Sequence, residues 1–275
     1  MMTLLLVLSA HAGVWEAVEA RRASPEAFVL PSVRERYALA MLARDLVRHA
    51  RSKRLPRSIP RRAEALGWTI SVEGDVAVLA EGGPGQGGGL LAVRLGRSTS
   101  ALVVQAPHPW FDLNTGRIAC RMFEENPEIF AVMVATVHRR AAPGSDAAHS
   151  PEQGFQAMTQ GVVDGLPAPL FVQLHGYGRT SDADAVLSPG SAWMRPGEFE
   201  SALVAVQEAL DLEDVRTGVE VPELGAKTNV QGRLVAGRAR FLHMELSKAP
   251  RDRLLAEPEL RARLAAALRA MADAR

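Results

Sequence analysis

The sequence predicts an α/β chain, a three-layer α/β/α sandwich on a mixed, mainly parallel sheet. Three observations carry this expectation. Short, continuous apolar runs at 101–105, 130–137 and 170–174 have the form of strands buried on both faces. Around them, apolar residues recur at helical spacing, as do Phe199, Leu203, Val206 and Leu210, and again Leu260, Leu264 and Leu268. The apolar runs also end on, or enclose, ionisable side chains: His108 after the first, His175 after the third, and His243 and Glu245 within a further run at 240–246. In an open α/β sheet, residues at the carboxyl edge of the strands face the crevice that binds ligands.

Taken in order, residues 1–30 form an N-terminal segment. Leu4 to Leu8 followed by Ser9-Ala10-His11-Ala12 fits either the end of an export signal or a buried first strand. The expectation is a periplasmic or secreted protein, with a cytoplasmic one as the alternative. Residues 31–275 read as one domain, an elaboration over 31–100 leading into a core over 101–255. Ser32 and Glu35 make a capping box that starts a helix with Tyr37, Met41, Leu42 and Leu46 on its apolar stripe. The stretch 48–62 holds no acid; it reads as a helix C-terminus, where cations suit the macrodipole, running into a loop broken by Pro56 and Pro60. The alternative is a patch for an anionic polymer. Residues 69–72, 76–79 and 90–93 are short strands. The glycine-rich stretch 82–89 lacks the Lys-Ser/Thr of a phosphate cradle and reads as a hairpin loop. A helix over 116–125 opens at Asn114 or Thr115 and stops before Pro127.

Composition narrows the function classes. Lys+Arg of 32 against Asp+Glu of 31 leaves +1, so no overall field steers the chain to nucleic acid or membrane. No run reaches the ~20 apolar residues of a membrane span. A single cysteine, Cys120, excludes an internal disulfide and a cysteine-rich zinc cage, and its helical position suits an inert buried thiol. No oligomeric state is written in the sequence.

Two imidazoles, His108 and His175, with one carboxylate would form a three-ligand zinc set that leaves a fourth position open. Asp112 lies four residues after His108 in a loop shaped by Pro107 and Pro109, but it could equally cap the next helix, and Glu124 and Glu125 compete with it as ligand. Gly176, after His175, lets the backbone come close to a ligand. Glu245 shares a strand face with Phe241 and His243; a buried carboxylate needs a partner, so it is either a general base facing water or the structural partner of an arginine such as Arg251. His243 is a candidate substrate contact. His138-Arg139-Arg140 offers cations for an oxyanion or a substrate carboxylate, or else a surface salt bridge. Asp146 and His149 are candidate outer contacts, and His11 and His49 read as surface residues.

The order of these pieces is informative: His108-x3-Asp112-x2-Thr115, a strand ending His138-Arg139, Phe171-Val172-Gln173-Leu174-His175-Gly176, Thr228-Asn229-Val230-Gln231-Gly232-Arg233, and Leu242-His243-Met244-Glu245-Leu246-Ser247 with Arg251. Over residues 101–255 it resembles the zinc hydrolases of the phage-type poly-γ-glutamate hydrolase family, relatives of zinc carboxypeptidases and N-formylglutamate amidohydrolases. The resemblance implies a phosphorylase/hydrolase-like, zinc carboxypeptidase-like sandwich. It implies one Zn2+ ion on His108, Asp112 and His175, Glu245 as catalytic base, and Arg139, Asn229 and Arg233 holding substrate. The chain differs from the family in having Pro109-Trp110-Phe111 where a glycine-rich stretch is expected, and an aspartate one residue closer than the usual glutamate. The implied activity is hydrolysis of an amide bond, γ-glutamyl or cell-wall peptide-like, in a small acidic peptide or polymer. A zinc carboxypeptidase or an N-acetylmuramoyl amidase is the alternative, the latter favoured if Glu124 or Glu125 is the ligand. A non-catalytic module that binds anionic polymer through 48–62 is the alternative from another class.

Overall fold

The computed structural model describes residues 13–274 except 53, 84, 97–99 and 193, so the export-like pattern up to Ala12, with His11, lies outside the described residues. Among the described residues nine strands make one sheet. They are β1 (Trp68–Glu73), β2 (Val76–Glu81), β3 (Leu90–Arg94), β4 (Leu102–Ala106), β5 (Ala131–Val134), β6 (Leu170–Gly176), β7 (Ala185–Ser188), β8 (Val215–Thr217) and β9 (Arg240–Leu246). Their order is β1-β2-β3-β5-β4-β6-β9-β7-β8. The centre, β5-β4-β6-β9, is parallel. The first three strands extend it antiparallel on one side, and β7 joins β9 antiparallel on the other.

Alternation along the central strands builds two cores, because successive side chains point to opposite faces. Val104, Val172 and Leu242 pack under α4 (Thr115–Glu125), α6 (Pro196–Leu210) and α9 (Pro258–Asp273). Val103, Phe171 and Phe241 face α2 (Val33–Ala50) and α5 (Gly154–Gly165). This is the three-layer sandwich the apolar runs predict. The second face also carries polar residues: Gln105 stands opposite Gln173, Gln173 opposite His243, and one step on His175 opposite Glu245.

Local chemistry explains most boundaries. The Ser32 hydroxyl accepts the Glu35 N–H and the Glu35 carboxylate accepts the Ser32 N–H, the full capping box at the start of α2. The glycine-rich stretch is a hairpin loop between β2 and β3, folded around the Glu81 carboxylate, which accepts N–H bonds from Gln86 and Gly88. Cys120 is fully buried in α4, where desolvation pushes its thiol pKa far up. Residues 48–62 differ from a simple loop, because α3 (Ser58–Ala65) forms with Pro60 in its first turn and Ile59 and Ala63 buried. Proline is tolerated there since the first-turn N–H groups have no intrahelical partner. The end of α2 is tied to the end of β3 by Gly96 N–H donating to Ala50 O. As β3 runs antiparallel to β5, this basic stretch lies at the amino edge of the parallel strands. No described helix is long and apolar enough to cross a membrane.

Candidate metal centre

The carboxyl ends of β4, β6 and β9 are adjacent, and the candidate residues gather there. His108 lies two residues beyond β4, where the chain makes a helix-like turn: Asp112 N–H donates to His108 O at 2.9 Å. That turn sets Asp112 on the same side as His108. His175 sits in β6, whose neighbour β9 places Glu245 directly opposite it. His108, Asp112 and His175 are all buried, at 1%, 3% and 5% exposure, and their ligand atoms form one compact group.

The orientation of the rings is specific. His108 Nδ1 is 3.2 Å and His175 Nδ1 2.8 Å from the same atom, Asp112 Oδ2. The opposite nitrogens face acceptors too: His108 Nε2 lies 2.8 Å from Asp146 Oδ1, and His175 Nε2 lies 2.9 Å from Gln173 Oε1. The rings meet edge to face, with centroids 4.9 Å apart. Burial works against charge on His108, but its hydrogen bonds to Asp112 and Asp146 prevail and raise its pKa. Burial lowers that of His175 in spite of Asp112. Asp112 and Asp146 are held well below the carboxylate range; burial would raise them, and the imidazoles, with Arg139 beside Asp146, outweigh it.

Two nitrogen lone pairs and a carboxylate converging on one point suit a divalent cation. Without one, His175 would have to be charged in a buried site to serve both Asp112 and Gln173, and His108 could not donate to Asp112 while accepting from Arg139 at the same Nδ1. The donor set, two histidines and one aspartate with no fourth ligand grouped with them among the described residues, would leave a coordination position open to solvent or substrate. Glu124 and Glu125 are engaged elsewhere: Glu124 accepts the Val14 N–H, and Glu125 pairs with Arg261 at 2.6 Å. The structure therefore brings Asp112, and neither later glutamate, to the imidazoles.

Glu245 has only a small exposed area, 12% of its side chain, and among the described residues no hydrogen bond reaches it. Its pKa is pushed up to about 8 by burial and then by the charge of Asp112. The closest cation candidate is His243, at 3.7 Å. Arg251 is not its partner, since its guanidinium donates to the carbonyls of Ser247, Leu113 and Tyr177 and so ties the loops after β4, β6 and β9 together.

The other candidates divide. Arg139 reaches the cluster: it pairs with Asp146 at 2.5 Å and stacks on Phe111, as does Arg140. His149 is exposed and contacts Asp146 at 3.0 Å. His243 is buried against His175, ring centroids 4.4 Å apart, and burial drives its pKa well down. Its Nδ1 has no hydrogen-bond partner among the described residues. Asn229 is buried, with Oδ1 capping α7 (Val230–Val235) through Gly232 N–H and Nδ2 donating to Gln173. Arg233 is exposed on α7 and donates to Lys227 O. Sequence reasoning does not single out Gln173, Gln105 or Gln231; the signal for Gln173 is a glutamine in phase with the site residue of an otherwise apolar strand.

No family model matches this chain, and no curated protein matches it in sequence. Several solved structures resemble it. N-formylglutamate amidohydrolase from Ralstonia eutropha JMP134 shares 14% identity over 66% of this chain and 96% of that one, with a TM-score of 0.44. A bacteriophage poly-γ-glutamate hydrolase shares 13% over 66% and 86%, at 0.43. An aspartoacylase family protein from Mesorhizobium loti shares 13% over 76% and 72%, at 0.48. The first two belong to the groups that the residue order resembles. Likenesses of this size carry neither activity nor substrate to this chain.

Proposed function

We propose that this protein is a metal-dependent hydrolase cleaving an amide bond, γ-glutamyl or cell-wall peptide-like, in a small acidic peptide or polymer. One Zn2+ ion would be held by His108, Asp112 and His175. The observation that carries this reading is the convergence of both Nδ1 atoms on Asp112 Oδ2 while each Nε2 is already occupied by an acceptor. Bound there, zinc would supply Lewis acidity to a carbonyl and to water. The chain's own residues supply the remainder. Glu245, beside His175 with a pKa near neutrality, can take a proton from water and return it to a leaving amine. Arg139, whose side chain is one-quarter exposed beside His108, offers a cation to a substrate carboxylate.

Elemental analysis of purified protein should find one zinc per chain, lost in His175→Ala and in Asp112→Ala and kept in Glu124→Ala. Glu245→Gln should keep zinc and lose nearly all turnover. Release assays on poly-γ-glutamate, peptidoglycan and N-acyl amino acids separate the proposed substrate class from a carboxypeptidase or a muramoyl amidase. Zinc retained by Asp112→Ala would break the ligand assignment, and full turnover in Glu245→Gln would remove the base.

A further inference from the structure

Behind His175 lies a chain of buried side-chain amides that ends on backbone groups. Gln173, two residues before His175 on the same face of β6, is fully buried, as are Gln105 and Gln231, with Asn229 nearly so. An amide can be turned end for end, so its direction must come from its partners. Here three routes begin at backbone atoms whose role is fixed.

The first starts in α5. The Thr159 hydroxyl donates to Phe155 O, one helical turn back, at 2.9 Å. Only its lone pairs then remain for Gln105, which must present its NH2, at 3.1 Å. Gln105 Oε1 therefore faces Gln173 and requires a donor from it, found at 3.0 Å. The second route starts at Ala147 O, which accepts from Gln231 Nε2 at 2.8 Å and so turns Gln231 Oε1 to the same Gln173 NH2, at 3.2 Å. The third starts at Gly232 N–H, which donates to Asn229 Oδ1 at 2.9 Å and leaves the Asn229 NH2 to donate to Gln173 Oε1 at 2.5 Å. All three impose one direction on Gln173: nitrogen toward Gln105 and Gln231, oxygen toward Asn229 and His175.

The geometry points to Gln173 as the positioning residue of the centre, an amide whose backbone-anchored oxygen makes His175 donate from Nε2 and present Nδ1 to the metal. The inference rests on the metal reading above and deepens it, since it assigns which nitrogen of His175 binds and what enforces the choice. A reversed amide would donate its NH2 to His175 Nε2 and so place the ring proton on Nδ1, leaving that nitrogen no lone pair for a metal. Outer partners that fix a ligating imidazole are worth about ten- to hundredfold in metal affinity.

The test uses the full chain, 15N-labelled and loaded with zinc, with long-range 1H–15N correlation of the histidine rings. His175 should show a slowly exchanging proton on Nε2 and a metal-bound Nδ1. Gln173→Met, which keeps volume but removes the acceptor, should bind zinc about ten- to hundredfold more weakly in chelator competition. Gln173→Met should also speed exchange of the His175 Nε2 proton, whereas Thr159→Val should leave it slow, because Gln231 and Asn229 still set the direction of Gln173. A purely structural role for Gln173 would leave that proton unchanged in Gln173→Met. Zinc bound through Nε2, or unchanged affinity or unchanged exchange in a folded Gln173→Met, would overturn the inference and leave the metal reading intact. A wild-type protein that takes up no zinc would overturn both.

Discussion

Glu245 lies opposite His175 near the end of β9 with no hydrogen-bond partner among the described residues, so burial decides its charge. Its folded pKa of about 8 lies above the unfolded value of about 4.3. The folded state therefore holds this proton more tightly, and the stabilisation is fully present below about pH 4 and lost as pH rises to about 8. Glutamine mimics the protonated carboxyl and has nothing to lose. In metal-free protein, the thermal midpoint of the wild type should fall relative to that of Glu245→Gln by roughly 5 °C between about pH 5 and about pH 8.5. Bound zinc should shrink that difference, because a nearby cation favours the carboxylate. Parallel curves for the two proteins would show that Glu245 is ionised throughout. At this scale His108, His175 and Glu245 stand out in the sequence because each ends or interrupts an apolar run, whereas Asp112 is separated from Glu124 and Glu125 only by the resemblance. Asn229 illustrates the limit: its place in the motif points to substrate, whereas its side chain is consumed by a helix cap and by Gln173. Which polar groups a buried side chain meets depends on α5, α7 and β6 coming together, and no local pattern contains that.

Strands β4, β6 and β9 and helices α2, α4, α6 and α9 follow from periodicity, since each carries an apolar face or run that only one geometry buries. Helix α5 does not announce itself, because it is buried on most sides and contains Gly161 and Gly165, which periodicity reads as breaks. The structure supplies the reason for them. A Cβ on Gly161 would stand 2.3 Å from Ala40 O and 2.7 Å from Ala43 Cβ of α2, so glycine is what lets the two helices meet. The short strands β7 and β8, of 4 and 3 residues, are equally silent in sequence because their pairing defines them. Gly161→Ala should lose about 1–3 kcal/mol by overpacking, even though alanine is the better helix former by about 1 kcal/mol. Gly197→Ala in α6 is the control: its Cβ meets nothing within 4 Å, and its stability should be unchanged or slightly higher. Denaturant unfolding of both variants measures the difference, and equal stability for the two would mean that α2 can back away freely.

Across the whole molecule, charge is nearly balanced at +1, so local placement decides what its cations can do. The basic stretch that the sequence leaves open between a solvated helix end and a polymer patch lies at the amino edge of the parallel strands, whereas the candidate metal centre lies at their carboxyl edge. Strand β6 alone, with 7 residues, separates the edges by roughly 23 Å at about 3.3 Å per residue. The screening length at physiological salt is about 8 Å, so exposed Arg51, Arg54, Arg57 and Arg61 exert little field on the opposite edge. If the proposed acidic substrate is correct, Arg139 and Arg140, stacked on Phe111 beside His108, are the cations that would meet it. Replacing the four distant arginines with glutamine should therefore leave zinc content and kcat/KM on a small acidic substrate unchanged, at low salt and at high. Arg139→Gln should instead raise KM and flatten the dependence of kcat/KM on ionic strength, because the steering charge is then gone. A large loss of kcat/KM in the fourfold variant, with zinc content and fold intact, would show that substrate is drawn in from the amino edge and would return that stretch to the functional surface.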